Sequence, residues 1–330
     1  MNVISTFEHS AKSKCRLVFP EAEDERIIAA VRAAKDRKLA TPVLVGNAMR
    51  IRVVANEAGI HIDDIEIKDM SKPLDRKYVL AYARIRNVSE TVALKLLQNS
   101  LFLSALLVRL GEADGMLAGA VFTSADMIMA AEGIIGLAKR VSVPSSFFIM
   151  EIPGYEGPAG NLLIFADSSV NVNPTAEQLA DIAVTTAKTT KSLLGWKPRV
   201  AMLSFSTKGS ATHACAYKII KATKLARRKA PGITIDGELQ GDTALVRDTA
   251  VRKMHGKIGN VAGRSNVLIF PNLDAGNISY KLVQTLAKAN AYGPILQGFA
   301  KPVSDLSRGA KVSDIIGAIA ILSTWARVKR

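Results

Sequence analysis

The sequence predicts an α/β fold built on largely parallel sheets, and three features carry that prediction. Short apolar runs alternate with longer segments of helical periodicity along the chain, the pattern in which a helix returns the chain to the next parallel strand. Loops rich in Gly, Ser, Thr and Asn follow several of those runs, at the strand ends where such sheets collect ligands. At 330 residues and 48% hydrophobic content the chain has length for two ordinary globular domains, each with its own core.

Taken in order, Arg16-Leu-Val-Phe-Pro20 reads as a strand, an apolar run stopped by proline, and Asp24 to Arg37 reads as the helix after it. Pro42-Val-Leu-Val-Gly46 is the next strand. Glu90 to Leu110 reads as mostly helical, and Gly115-Met-Leu-Ala-Gly119 as a buried strand running into a Thr/Ser/Ala loop. Ser145 to Ile152 and Leu162 to Ala166 are strands on either side of a Pro/Gly-rich loop from Ile152 to Gly160. Thr175 to Leu194 is a helix, with Ala176, Leu179, Ile182, Ala183 and Thr186 along one stripe. Arg199 to Phe205 is a strand and Ala214 to Lys229 the helix after it. Ile233 to Gly237, Asn266 to Pro271 and Leu282 to Ala289 continue the alternation. There are no internal repeats and no low-complexity linker.

Composition narrows the function classes. The 44 Lys and Arg against 29 Asp and Glu give a net charge of +15, a field that attracts polyanions and small phosphorylated ligands alike. The basic residues are scattered, with concentrations only at Lys218 to Lys229 and Arg327 to Arg330. The first reads as the solvated face of a helix, so nucleic-acid binding is not expected. No apolar run of membrane-spanning length is free of charge, the best, Leu101 to Leu110, being interrupted by Arg109. Met1 to Arg16 mixes Glu8, Lys12, Lys14 and Arg16 without an apolar segment, unlike a signal peptide, and the expectation is a cytoplasmic protein without a membrane partner. Cys15 and Cys215 lack metal-ligand or disulfide-framework spacing. His9, His61, His213 and His255 form no cluster, and only His213 stands near the polar loops.

Those loops carry the chemistry. Ser204-Phe-Ser-Thr-Lys-Gly-Ser210 lies between a strand and a helix, where free amides and the helix dipole suit an anion; Ser206, Thr207, Gly209 and Ser210 are its candidate donors. Ala118 to Asp126 has the same grammar, with Thr123 and Ser124 as donors. Asp274 to Lys281 follows Pro271 and offers Asn277, Tyr280 and Lys281. Near the end, Tyr292 to Asp314 reads as an irregular loop, punctuated by Gly293-Pro294, Gly298, Pro302 and Gly309, that presents Ser307 and Arg308 and then starts a helix carrying Asp314. The guanidinium is a planar fork suited to phosphate, and the acid nearby suits proton transfer. Each loop has a plainer reading as turn chemistry, and Asp314 a plainer one as a helix-start carboxylate. Together they favour an anion site.

Phe19-Pro-Glu-Ala-Glu-Asp-Glu-Arg26, Ala113-Asp-Gly-Met116, Asn173-Pro-Thr-Ala-Glu-Gln-Leu-Ala-Asp-Ile-Ala183, Leu203 to Ala211, Asp236-Gly-Glu-Leu-Gln240, Phe270 to Lys281 and Gly293 to Gly309 together resemble the phosphate acetyltransferases, or phosphotransacetylases, over essentially the whole chain. The resemblance implies a fold related to the isocitrate and isopropylmalate dehydrogenases, with two α/β domains, residues 1–144 plus 296–330 and residues 145–295, and a cleft between them. It implies a homodimer, and reversible acetyl transfer between acetyl phosphate and coenzyme A with phosphate as the other product. Coenzyme A is then a substrate, and neither a resident cofactor nor a metal is implied. Asp314 takes the role of general base, Arg308 and Ser307 that of transition-state stabilisers, and Thr123, Ser124, Ser206, Tyr280 and Lys281 hold the substrate. Four places depart from the family pattern, one being Gly241 standing before Asp242 after Gly237-Glu-Leu-Gln240. Met129 stands where an arginine is common, Ala83-Arg-Ile-Arg86 stands for a more basic segment, and Phe122 replaces a commonly polar residue. Arg84 and Arg86 are the candidate anchors for the coenzyme A phosphates. Binding of acyl phosphate or coenzyme A without turnover, and transfer of a larger acyl group, are the competing readings; a dehydrogenase is set aside because no GxGxxG is present.

Overall fold

The structure, a computed structural model, describes residues 7–8 and 15–328. His9, Lys12 and Lys14 of the N-terminal reading, and the last two residues of the Arg327 to Arg330 run, lie outside the described residues. The chain forms two compact units, Met1–Lys139 with Phe299–Arg330, and Arg140–Gly298.

In chain order the first unit contributes β1 (Arg16–Phe19), α1 (Glu25–Asp36), β2 (Thr41–Gly46), α2 (Ala48–Glu57), β3 (Glu66–Asp69), α3 (Arg76–Arg86), α4 (Glu90–Leu96), α5 (Ser100–Arg109), β4 (Gly115–Ala118) and α6 (Ser124–Ala130), which runs into a π-turn, Ala131–Ile135. The second unit holds β5 (Ser145–Glu151), β6 (Pro158–Ala166), α7 (Ala176–Leu194), β7 (Arg199–Leu203), α8 (Ala214–Lys229), β8 (Thr234–Leu239), α9 (Gly241–Leu245), α10 (Arg247–Lys253), β9 (Val267–Ile269), α11 (Leu273–Leu286) and β10 (Asn290–Gln297). The chain then re-enters the first unit as β11 (Val303–Asp305) and α12 (Val312–Val328).

Strands of the first unit run β3-β2-β1-β4-β11, every pairing parallel. Val18 pairs with Met116 and Met116 with Val303, so the segments leaving β1, β4 and β11 emerge side by side at one edge. A sheet covered on both faces selects continuous apolar strands, and Leu17, Val18 and Phe19 and all of β4 are buried. Helix α12 is apolar nearly all round because it is itself core, with Ile315, Ile319, Leu322 and Trp325 buried where it packs on α1 and β4. In the second unit the order is β10-β5-β6-β9-β7-β8; β5 is antiparallel to both its neighbours, and β6, β9, β7 and β8 are parallel. The loops opening at Asp167, Phe270, Ser204 and Gln240 therefore share the carboxyl edge of that unit.

Several segments differ from the sequence reading. The mostly helical stretch from Glu90 to Leu110 is two helices bent by 111°, because the Asn99 carboxamide accepts the Leu101 N–H at 2.9 Å and starts α5 afresh. Asp274 to Lys281, read as a loop, is helix, and the helix continues to Leu286; Asn272 caps α11 by accepting the Ala275 N–H at 2.9 Å. The irregular loop from Tyr292 contains β10 and β11. Gly293-Pro294 fits inside β10 because the register shifts between Tyr292 and Ile295, and a bulge is where a strand tolerates a residue without an N–H. Lys218 leaves the solvated face of α8, its amine donating to Asn173 Oδ1 at 2.9 Å and to the Pro271 carbonyl at 3.1 Å. Among the described residues no single helix is long and apolar enough to cross a membrane.

Phe19 has no exposed surface, so Phe19→Ala leaves a cavity costing about 3–5 kcal/mol. The expected outcome is a lower urea midpoint with an unchanged slope, followed by far-ultraviolet circular dichroism.

Candidate active-site edge

Glu21, two residues beyond β1, organises the edge of the first unit. Its carboxylate accepts the N–H groups of Gly119 at 3.0 Å, Ala120 at 2.9 Å, Val121 at 2.8 Å and Phe122 at 2.7 Å. A buried carboxylate is tolerated only when donors replace its water, and here four consecutive amides do so. The β4–α6 loop is thereby fixed up to Thr123, whose side chain caps α6 in a reciprocal box with Asp126. Gly119 takes φ +115°, and a methyl group there would collide with Asp305 and the Leu306 backbone.

Ser124 and Asp305 join this loop to the next one. The Ser124 hydroxyl donates to Asp305 Oδ2, and Asp305 Oδ1 accepts the Leu306 N–H at 3.0 Å. Burial pushes the Asp305 carboxyl up from an ordinary 3.8 to about 6, with the Glu21 charge adding to the rise and the Ser124 and Leu306 hydrogen bonds opposing it. Beyond Leu306 the chain turns outward. Ser307, Arg308 and Gly309 are exposed, and the turn is closed by the Ala310 N–H on the Ser307 carbonyl at 2.8 Å. Ser307 Oγ accepts the Gly309 N–H at 3.3 Å. No carboxylate among the described residues pairs with the Arg308 guanidinium. Asp314, in the first turn of α12, is exposed and accepts the Lys311 N–H at 2.9 Å. Thus Thr123, Ser124, Ser307, Arg308 and Asp314 belong to adjacent segments of one edge. Of these, the two hydroxyls of the β4–α6 loop are engaged by Asp126 and Asp305. A cavity of about 530 Å³ borders this edge, lined by Glu23, Asp24, Asn47, Ser100, Val121 and Phe122 among others.

The β7–α8 loop of the second unit is likewise tied to carboxylate. Ser206 is fully buried, its hydroxyl donating to Glu238 Oε1 at 3.1 Å, and the Gly209 N–H donates to the same oxygen at 2.6 Å. The Thr207 N–H donates to Ser210 Oγ at 2.9 Å, and the Thr207 hydroxyl accepts the Gln240 N–H at 3.0 Å. These donors close the loop on itself. Asn277 donates to the Ser168 carbonyl at 3.1 Å, the Tyr280 ring stacks on Phe148 with centroids 4.2 Å apart, and Lys281 is exposed. His213 caps α8 by accepting the Cys215 N–H at 3.2 Å.

Arg84 and Arg86 lie in the last turn of α3. Arg84 is exposed, and Arg86 donates to the Gly133 carbonyl in the π-turn at 3.0 Å. Met129 is exposed on α6. Sequence reasoning missed Glu21 and Asp305 as residues that build the edge. Glu21 lies inside the Phe19 to Arg26 motif, and Asp305 two positions before Ser307, so position was the available signal and residue type gave none.

The raised Asp305 carboxyl sets a sign for stability. The folded chain binds a proton that the unfolded chain has released between pH 4 and pH 6, so wild-type stability falls as pH rises through that window. Asp305→Asn has no such proton to lose. Its melting temperature relative to wild type is expected to climb as pH rises from about 4 to about 6 and to level off above, as measured by differential scanning fluorimetry across that range.

Residues 3–323 match the profile of a family described as phosphate acetyl/butaryl transferase. The phosphate acetyltransferase of Thermoanaerobacterium thermosaccharolyticum is 44% identical over 99% of this chain and 100% of its own length. That of Acetivibrio thermocellus is 42% identical over 99% of each. A phosphotransacetylase structure from Streptococcus pyogenes aligns at a TM-score of 0.92 with 36% identity, covering 99% of each chain. A 4-hydroxythreonine-4-phosphate dehydrogenase from Klebsiella pneumoniae, at 14% identity and a TM-score of 0.54 over 95% of this chain and all of its own, shares the fold, bearing out a dehydrogenase-like α/β architecture. The motif resemblance is borne out as well: the chain belongs to the phosphate acetyl/butaryl transferase family.

Proposed function

We propose that this protein transfers an acetyl group reversibly between acetyl phosphate and the thiol of coenzyme A, releasing inorganic phosphate. The observation that carries the site assignment is the exposed Arg308 guanidinium, which has no carboxylate partner among the described residues and stands on a turn whose flanks are hydrogen-bonded. A planar fork left free in this way suits the phosphoryl oxygens of the substrate. The thiol sulfur attacks the acetyl carbonyl carbon, the carbonyl oxygen takes up negative charge, and the bond from carbon to the bridging phosphate oxygen breaks. Phosphate departs with that bonding pair. The thiol proton passes to the Asp314 carboxylate, exposed six residues after Arg308, as general base. Arg308 offsets charge on the departing phosphate and the oxyanion, and Ser307 supplies a hydroxyl beside it. Arg84, exposed at the end of α3, and Arg86, which donates to the Gly133 carbonyl, are the candidate anchors for coenzyme A phosphates. Thr123, Ser206 and the rest of their loops act through backbone shape, since their hydroxyls are already bonded.

We place the reaction in the cytoplasm and the working enzyme as a homodimer. Supporting the dimer, Ile278, Leu282 and Leu286 lie four residues apart on α11, and all three are exposed, Leu286 at 76%. In that helix only Gly276 is buried among the described residues. An apolar stripe of this kind is what a second copy of the chain covers.

Arg308→Ala is expected to lower kcat by about 10²–10³, followed as thioester formation from acetyl phosphate and coenzyme A, with the circular dichroism spectrum unchanged. Equal turnover by variant and wild type removes Arg308 from the site. Leu282→Asp is expected to convert a dimer to monomer in sedimentation velocity. A wild-type monomer at working concentrations ends the dimer reading.

A further inference from the structure

Arg26 is the side chain that ties the segment carrying Arg308 to the rest of the edge. It lies in the first turn of α1, held there by Asp24. The Arg26 Nε donates to Asp24 Oδ1 at 3.0 Å and Nη2 to Asp24 Oδ2 at 2.7 Å, while the Arg26 N–H also meets Asp24 Oδ1 at 2.9 Å. The remaining donors point away from that carboxylate. Nη1 donates to the Arg308 carbonyl at 2.7 Å and to the Ala310 carbonyl at 3.2 Å, and Nη2 reaches the Ala120 carbonyl at 3.3 Å. One planar group therefore spans three chain segments: the start of α1, the β4–α6 loop and the β11–α12 turn.

We propose that Arg26 is a positioning residue for Arg308. Ser307, Arg308 and Gly309 are all exposed, and exposed turns of this length owe little to packing. The direction in which the Arg308 side chain leaves the backbone is fixed by its own peptide carbonyl and by the one two residues on, and Arg26 grips both. Asp24 keeps the guanidinium plane in place, as a carboxylate does for a bidentate arginine. The Ala120 contact sets the turn relative to the loop that Glu21 holds. A lysine offers a single point charge on a flexible stem and cannot span the same acceptors.

This inference rests on the acetyl-transfer reading of the edge, so its test has a readout independent of turnover. Arg26→Ala and Arg26→Lys are compared with wild type, and Phe19→Ala serves as a control destabilised in the same unit. Arg26→Ala is expected to lose about 100-fold in kcat, the size of effect that a small misplacement produces, with the KM for coenzyme A little changed. Arg26→Lys falls between it and wild type. Guanidinium ion added at low concentration refills the vacated space and partly restores Arg26→Ala, while it does nothing for Phe19→Ala. Hydrogen exchange across residues 306–311 quickens in both Arg26 variants. Should Arg26→Ala be too unstable to isolate, the exchange and kcat of Arg26→Lys decide alone. Wild-type turnover with Arg26 variants equal to it, or unchanged exchange at 306–311, overturns the positioning role and leaves the acetyl-transfer reading standing. An inactive wild type with quickened exchange in the variants does the reverse.

Discussion

Four consecutive backbone N–H groups, from Gly119 to Phe122, converge on the carboxylate of Glu21, and the candidate site is built around that bond set. A loop presenting so many unpaired amides behind a parallel strand is unstable alone, since each buried unmet donor costs about 1–3 kcal/mol. Glu21 supplies the acceptor from within the chain, and the loop needs no ligand to hold its shape. The second unit repeats the device twice. Asp167, beyond β6, accepts the N–H groups of Ser169, Val170 and Asn171 and also that of Ser146. Glu238, in β8, accepts from Ser206 and Gly209. Three carboxylates thus accept the donors of loops that follow strands of these sheets.

That arrangement redirects the chemistry. Amides and hydroxyls committed to an internal carboxylate are not free donors for phosphate, and a fixed negative charge beneath them opposes a second one. Exposed cations remain free of such commitments, and Arg308 is one of them, presented by a hydrogen-bonded turn of the first unit. The two kinds of group differ in depth: the acids that hold the loops are buried and the Arg308 side chain is exposed.

Much of the fold was legible because a few local rules sufficed. β1, β2, β4, β7, α7 and α8 announce themselves by apolar runs and by caps such as Thr175 with Gln178. The misread segments are those where a local signal was overruled by tertiary context. Gly293-Pro294 looks like a turn and lies inside β10, because β5 pairs with that strand on both sides of a register shift. The break at Asn99 is a cap inside an otherwise continuous helical pattern, and Asn alone does not announce it. Within the site, Ser307, Arg308 and Asp314 could be singled out since motif and residue type agree. Glu21 and Asp305 could not, because the β4–α6 loop partners of each lie 98 residues or more away in sequence and become neighbours only through the order β1-β4-β11.

The strand order also explains why the acids of this edge are tolerated so close together. Glu21 follows and Asp305 ends a strand flanking the same β4, and burial, with the Glu21 charge adding to it, raises the Asp305 carboxyl. The chain resolves the conflict unequally. Glu21 gathers four amides, whereas Asp305 has one amide and one hydroxyl, and burial keeps its carboxyl protonated up to about pH 6. Asp305 is bonded to both Ser124 and Leu306. Protonation there leaves the hydroxyl of Ser124 facing a neutral acid instead of a carboxylate, weakening a charge-assisted bond between the two loops that frame Arg308. The same topology that brings these loops together therefore places a titrating group at their seam.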